Sequence, residues 1–278
     1  MEQQRKDLEQ WVAFLGHAEI PVLKQTARDL AKLQQDEDNL SARSVSQVIA
    51  RDPMMTVKLL RYLQQHKHRK QEHEVMEVEQ ALLMLGLNPF FSKIPAQPLV
   101  EEVLNGKIEA LTAFLRVMRR SHRASNYALE WAARLNDLHF EEVRMAALLH
   151  DLAELLMWCF SPAEMLQIRD IQHKDKNLRS RTVQEAVLGF SLIDLQRALT
   201  HEWGLPKLLL TLMDDACANQ SRVRNVVLAV NLARHSANGW DDAALPDDYR
   251  DLGELLHLSS ERVAEMLGLE SGSPGDAD

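Results

Sequence analysis

The sequence predicts an all-α fold: a multi-helix protein organised around one buried helix. Three observations predict it. The 278 residues include only ten glycines, about half the usual share of roughly 7%, so a strand-rich fold with many tight turns is excluded. Leu, Ala, Glu, Gln and Arg, all good helix formers, are abundant. Apolar residues also recur at helical spacing, most plainly at Ala124, Tyr127, Ala128, Trp131, Ala132 and Leu135.

The elements follow in order. Leu8 to Leu15 reads as a short amphipathic helix. Pro21 opens a second over Val22 to Leu33. Ser44-Val45-Ser46-Gln47 has capping-box spacing. Asp52-Pro53 starts the next helix, with Asp as cap and Pro at the first helical position. His66 to Glu74 is a polar loop. Its His66, His68 and His73 read as solvated, because no carboxylate or cysteine is placed to complete a metal set. Val78 to Leu85 ends at Gly86, and Pro89, Pro95 and Pro98 make the next stretch irregular. Leu111 to Met118 and Ala124 to Leu135 are helical. Val143 to Phe160 is apolar nearly all round, as a central buried helix must be. Ser161-Pro162-Ala163-Glu164 again has capping-box spacing, and Asp170 to Arg181 reads as a charged connector. Val183 to Trp203 reads as one long helix closed by Gly204-Leu205-Pro206. Leu208 to Ala218, Val223 to Ala233 and Leu255 to Leu267 complete the set, and residues 271–278 form a disordered tail.

Composition narrows the function. No G-x-G-x-x-G and no G-x-x-x-x-G-K-[ST] occurs, so dinucleotide and P-loop chemistry have no anchor. Lys+Arg 32 against Asp+Glu 41 gives a net charge of −9, which disfavours nucleic acid and anionic membranes as partners. Arg116, Arg119, Arg120 and Arg123 form a local basic cluster, read as a solvated face or an acidic-partner contact. Cys159 and Cys217 lie in apolar helical contexts and read as core residues of a reducing compartment. The start, MEQQRKDLEQ, has no apolar signal core, and no apolar run reaches the 18 or so residues a membrane span needs. The expected location is the cytoplasm.

The chemistry concentrates at His150-Asp151, inside the run MAALLHDLAELLMW. Burying a charge is costly unless it is paired or metal-bound. Two readings stand side by side: divalent-metal ligands, or a hydrogen-bonded pair fastening neighbouring helices. Glu154, one turn on, could pair with His150. Asp214-Asp215 reads as the solvated side of a helix. Neither cysteine has a neighbouring histidine, and Ser191 lacks a nucleophile-elbow context.

Leu-Leu-His-Asp in a buried helix resembles the HD superfamily of metal-dependent phosphohydrolases. Other segments resemble its HDOD relatives, in order: Ile20-Pro21-Val22-Leu23, Val48-Ile49-Ala50-Arg51-Asp52-Pro53, Leu59-Leu60-Arg61, Ala81 to Leu87, Gly189-Phe190, and His201-Glu202-Trp203-Gly204-Leu205-Pro206. The resemblance implies an HDOD domain over residues 1–218. It has an N-terminal helical half at about 8–105 and an HD-like half at about 108–218. Helices of 219–270 pack on the HD-like half.

The resemblance also implies where metal ligands would stand. Such relatives place a histidine after the G-F element, where this chain has Leu192. They place a His-His pair beyond W-G-L-P, where it has Ala216-Cys217. They end with a metal-binding Asp, where it has Asn231, a weaker ligand for a hard cation. The upstream position falls to His122 or, in a second register, to Arg120. His150, Asp151, Asn231 and His122 thus outline a vestigial metal site. The expected function is a non-catalytic bacterial signalling or regulatory module without a cofactor, binding a partner protein or a small signalling ligand. The alternative is a phosphohydrolase of nucleotides or cyclic dinucleotides, with Fe, Mn or Mg at His150 and Asp151.

Overall fold

Asp52 begins the element that organises the N-terminal half. The computed structural model describes residues 6–66, 75–175 and 178–269. Asp52 caps α4 (Pro53–Gln65) by accepting from the backbone N–H of Met54 and Met55 at 2.9 and 3.2 Å. Its other oxygen accepts from Leu23 N–H and Thr26 Oγ. One carboxylate therefore starts α4 and holds the start of α2 (Lys24–Gln35) against it. Helix α4 packs against α3 (Ala42–Ile49) and α5 (Val78–Leu85); α1 (Leu8–His17), α6 (Leu87–Lys93) and α7 (Val100–Val103) complete this half of the chain. Val22 is extended and bridges in parallel to Leu99, so α2 starts at Lys24 rather than at Val22. The cap of α3 is Ser41 paired with Ser44, not the Ser44 to Gln47 box. Pro89 lies inside α6, so the proline-rich stretch is partly helical.

The second half is built on α8 (Ile108–Arg134), 27 residues long. It joins the two segments expected to be separate, because Arg119 to Arg123 contains nothing that breaks a helix. Against it pack α9 (Phe140–Leu149), α10 (Leu152–Phe160), α11 (Pro162–Lys174) and α15 (Ser221–His235). Between these come α12 (Ser180–Leu188), α13 (Leu192–Glu202) and α14 (Lys207–Leu212). The expected helix over Val183 to Trp203 is divided, since Gly189 takes φ +92° as a left-handed cap and Ser191 caps α13. The connector over Asp170 to Arg181 begins as helix, because α11 runs to Lys174. The final helical piece divides into α16 (Leu245–Leu256) and α17 (Ser260–Met266) at His257, φ +57°. Helix α16 packs on α15, and α17 on α16.

Every regular element among the described residues is helical. One apolar core runs through both halves. None of the described helices is long and apolar enough to cross a membrane. His68, His73 and the tail at 271–278 lie outside the described residues.

Candidate functional site

The expected central helix over Val143 to Phe160 does not run through His150-Asp151. It ends at Leu149 and restarts at Leu152. Asp151 sits at φ −98°, ψ 22°, outside the helical range. A helix break inside a core strands backbone donors and acceptors. Gln196 of α13 meets two of them. Its Oε1 accepts from Ala153 N–H at 2.7 Å, and its Nε2 donates to the Leu149 carbonyl at 2.8 Å. The amide suits the task because it carries both functions. The break turns His150 and Asp151 toward the side chains of α8 and of the turn after α14.

Arg120 of α8 meets the pair. Its Nε and Nη2 lie 2.8 and 2.7 Å from Asp151 Oδ2, and Nη2 lies 2.6 Å from Glu154 Oε2. Burial opposes the charge, but the two carboxylates outweigh it and hold Arg120 protonated above its ordinary value. For Asp151, burial works upward and is overcome by Arg120, by His150 and by Arg234 at 3.6 Å; its carboxyl is held well below the usual range. His150 spans two carboxylates, with Nε2 3.0 Å from Asp215 Oδ1 and Nδ1 3.5 Å from Asp151 Oδ1. Burial disfavours its charged form, yet these contacts raise its pKa to about 9. The imidazolium donates to both acids. Its hydrogen bond in turn lowers the Asp215 pKa.

Above the cluster lies a cavity of about 390 Å³. Trp158, Ile168, Leu192 and Val230 supply apolar walls; Arg169, Arg181, Arg197 and Arg234 also line it. Arg197 is held by Asp214, and Arg181 by Glu185. This volume and mixed lining suit a small organic ligand.

The site brings together His150, Asp151, Asn231 and Leu192, all of which line the cavity. His122 is elsewhere. Its pKa is lowered first by burial, then by Arg144 and Arg51, and its Nδ1 lies 3.5 Å from Asn126 Nδ2. Two positions apart on a helix turn a side chain by about 200°, so Arg120 can face the pair only if His122 does not. Arg120 is thus not part of a solvated basic face, although Arg116 and Arg119 are exposed. Ala216 and Cys217 lie in the 3-10 turn Asp215–Cys217 and do not line the cavity. Their neighbour Asp215 does, against the expectation of a solvated acid. Glu154 pairs with Arg120 and not with His150. Cys159 is buried and Cys217 partly so; both are free thiols.

The HDOD domain family model matches residues 20–217, most of the chain. The chain belongs to the HDOD family. Solved structures agree in fold. The MmoQ response regulator from Methylococcus capsulatus str. Bath superposes with a TM-score of 0.66 at 20% identity, over 91% of this chain and 99% of that one. A virulence factor from Campylobacter jejuni subsp. jejuni gives 0.64 at 18%, over 98% and 94%. An HDOD domain protein with unknown function from Geobacter sulfurreducens gives 0.50 at 15%, over 94% and 92%. No curated protein matches the chain in sequence. In this HDOD chain the family match ends at Cys217, just past Asp215, while Arg234 reaches Asp151 from α15 beyond it.

Sequence reasoning missed Gln196 and set Asp215 aside. Gln196 carries no local signal, because its partners are 47 and 43 residues away. Asp215 was within reach: it precedes the two positions at which the resemblance marked lost ligands.

Proposed function

We propose that this HDOD chain is a non-catalytic regulatory module that acts by binding a small ligand or a partner protein at the cavity over Arg120. One observation carries the reading: the Arg120 guanidinium bridges Asp151 and Glu154. A fixed cation 2.7 Å from the Asp151 carboxylate repels a divalent metal and engages one of the two oxygens a metal could use. The remaining donor set is poor. Among the described residues, no three His, Cys, Asp or Glu side chains are disposed to hold a metal ion. The residues present do not fit the metal that the HD superfamily implies. No hydrolytic step is derived through one.

Metal analysis tests the reading directly. Protein purified without chelator is expected to carry no stoichiometric Fe, Mn or Zn, and EDTA leaves its thermal midpoint unchanged. Stoichiometric metal that is lost in His150→Ala overturns the proposal. Turnover gives a second arm. Cyclic dinucleotides and simple phosphodiesters with Mn²⁺ or Mg²⁺ are expected to remain intact; hydrolysis abolished by Asp151→Asn would establish a phosphohydrolase instead.

A further inference from the structure

A second cleft lies in the N-terminal half, between α4, the turn after α1 and the segment following α6. Its volume is about 520 Å³, and no residue lines both it and the cavity over Arg120. Lys58 and Arg61 stand three positions apart on α4, on one face, and both line it. They are only 5% and 9% exposed. Charged side chains this deeply buried normally have carboxylate partners. Here one carboxylate, Glu19, lines the cleft, 3.3 Å from Lys58 Nζ, and its side chain is 71% exposed. Lys93 adds a third cation.

The hydrogen bonds leave capacity unused. Lys58 donates to the Gln97 carbonyl. Arg61 Nη1 donates to the Ala18 carbonyl at 2.8 Å, and the guanidinium stands over the Trp203 ring. A guanidinium has five N–H groups, and the others on Arg61 have no acceptor among the described residues. Among the described residues, the fully buried side-chain atoms without a hydrogen-bond partner are Ser121 Oγ, Trp131 Nε1, Trp203 Nε1 and Asn225 Oδ1, and no Arg61 nitrogen is one of them. Because Arg61 lines the cleft, these donors are within reach of a ligand there. Burial lowers the pKa of both cations against the opposing pull of Glu19, and the Arg61 charge lowers that of Lys58 further. An added anion would relieve both effects.

We propose that this cleft is a binding site for a small oxyanion, a phosphate or carboxylate group, held by Arg61 and Lys58 with Tyr62, Gln65 and Lys93 at its rim. A planar guanidinium matches either group through two parallel hydrogen bonds. In the absence of ligand, Glu19 stands over Lys58 as an internal carboxylate in the same place. Binding displaces it outward, which its exposure permits.

Titration of the full chain with inorganic phosphate and, separately, malonate tests this, with ionic strength held constant by KCl so that screening does not vary. Thermal midpoint and calorimetry give the readouts, and the two anions separate phosphate from carboxylate preference. Saturable binding of at least one anion is expected. Glu19→Gln removes the exposed competitor and tightens binding about threefold; this surface variant keeps the fold. Arg61→Lys loses the paired geometry and weakens binding about tenfold or more. Arg197→Ala, in the other cavity, leaves binding unchanged. Three outcomes overturn the proposal: no response beyond KCl, equal affinity in Glu19→Gln, or loss of binding in Arg197→Ala. The last would place the anion over Arg120.

Discussion

Arg120 Nη2 lies 2.7 Å from Asp151 Oδ2, across the contact between α8 and the break that separates α9 from α10. The same nitrogen reaches Glu154, on the first turn of α10. One side chain therefore ties α8 to the break and to the first turn of α10 beyond it. The Arg120 side chain is 16% exposed and that of Asp151 10%, so solvent screens their interaction little.

Arg120→Met is expected to lower unfolding free energy by about 3–5 kcal/mol, because it leaves Asp151 and Glu154 without their main counter-charge. Arg120→Lys recovers part of this, since an ammonium cannot reproduce the guanidinium's fixed fork. Urea unfolding followed by circular dichroism measures both. A loss below about 1 kcal/mol in Arg120→Met would mean that Arg234 and His150 already neutralise Asp151.

Gln196→Leu removes both polar functions that close the helix break. It leaves the Ala153 N–H and the Leu149 carbonyl unpaired in the core, at a cost of about 1–3 kcal/mol each. Gln196→Glu can still accept from Ala153 but cannot donate to Leu149, and it adds a buried charge. It is expected to be no more stable than Gln196→Leu. Amide exchange at Ala153 should accelerate in both variants, whereas a distant amide such as that of Val45 follows only global stability.

How much of this was legible depends on range. The Asp52-Pro53 start, the Gly86 cap and the apolar stripe of α8 are written within a few residues of each other. Periodicity and capping chemistry find such features. The break at His150-Asp151 is different. Residues 143–160 are all compatible with one helix, and the interruption is completed by Gln196 from another element. The choice between Arg120 and His122 rested on helix register, which neighbouring apolar residues define only to within a position. Three-dimensional packing resolves it through a contact 31 residues apart.

Asp52 serves two elements, and its loss should affect both. Asp52→Ala removes the cap of α4 and leaves Leu23 N–H and Thr26 Oγ without their acceptor. The expected cost is about 3–5 kcal/mol, above the 0.5–2 kcal/mol typical of a cap alone. Asp52→Ser keeps a capping oxygen but is too short to reach Thr26 as well, so it should recover only the cap. Equal stability of the two variants in urea would show that the tie to α2 contributes nothing.

His150 gives the fold a defined pH response. Its pKa is near 9 in the folded chain and near 6.5 in the unfolded one. Between these values the folded state binds the extra proton, so stability falls as pH rises. The contribution is fully present below about pH 6.5 and lost as pH passes about 9. Asp151 and Asp215 act in the opposite sense. Their folded pKa values are depressed, so their contribution is present above about pH 4 and lost on acidification. Taken together, these three groups stabilise the fold most between about pH 4.5 and 6.5, with an alkaline slope of at most about 1.4 kcal/mol per pH unit from His150. His150→Gln is expected to flatten that slope. Urea midpoints taken from pH 6 to pH 10 on both proteins measure the difference, and parallel profiles would mean that His150 does not bridge the two carboxylates in its charged form.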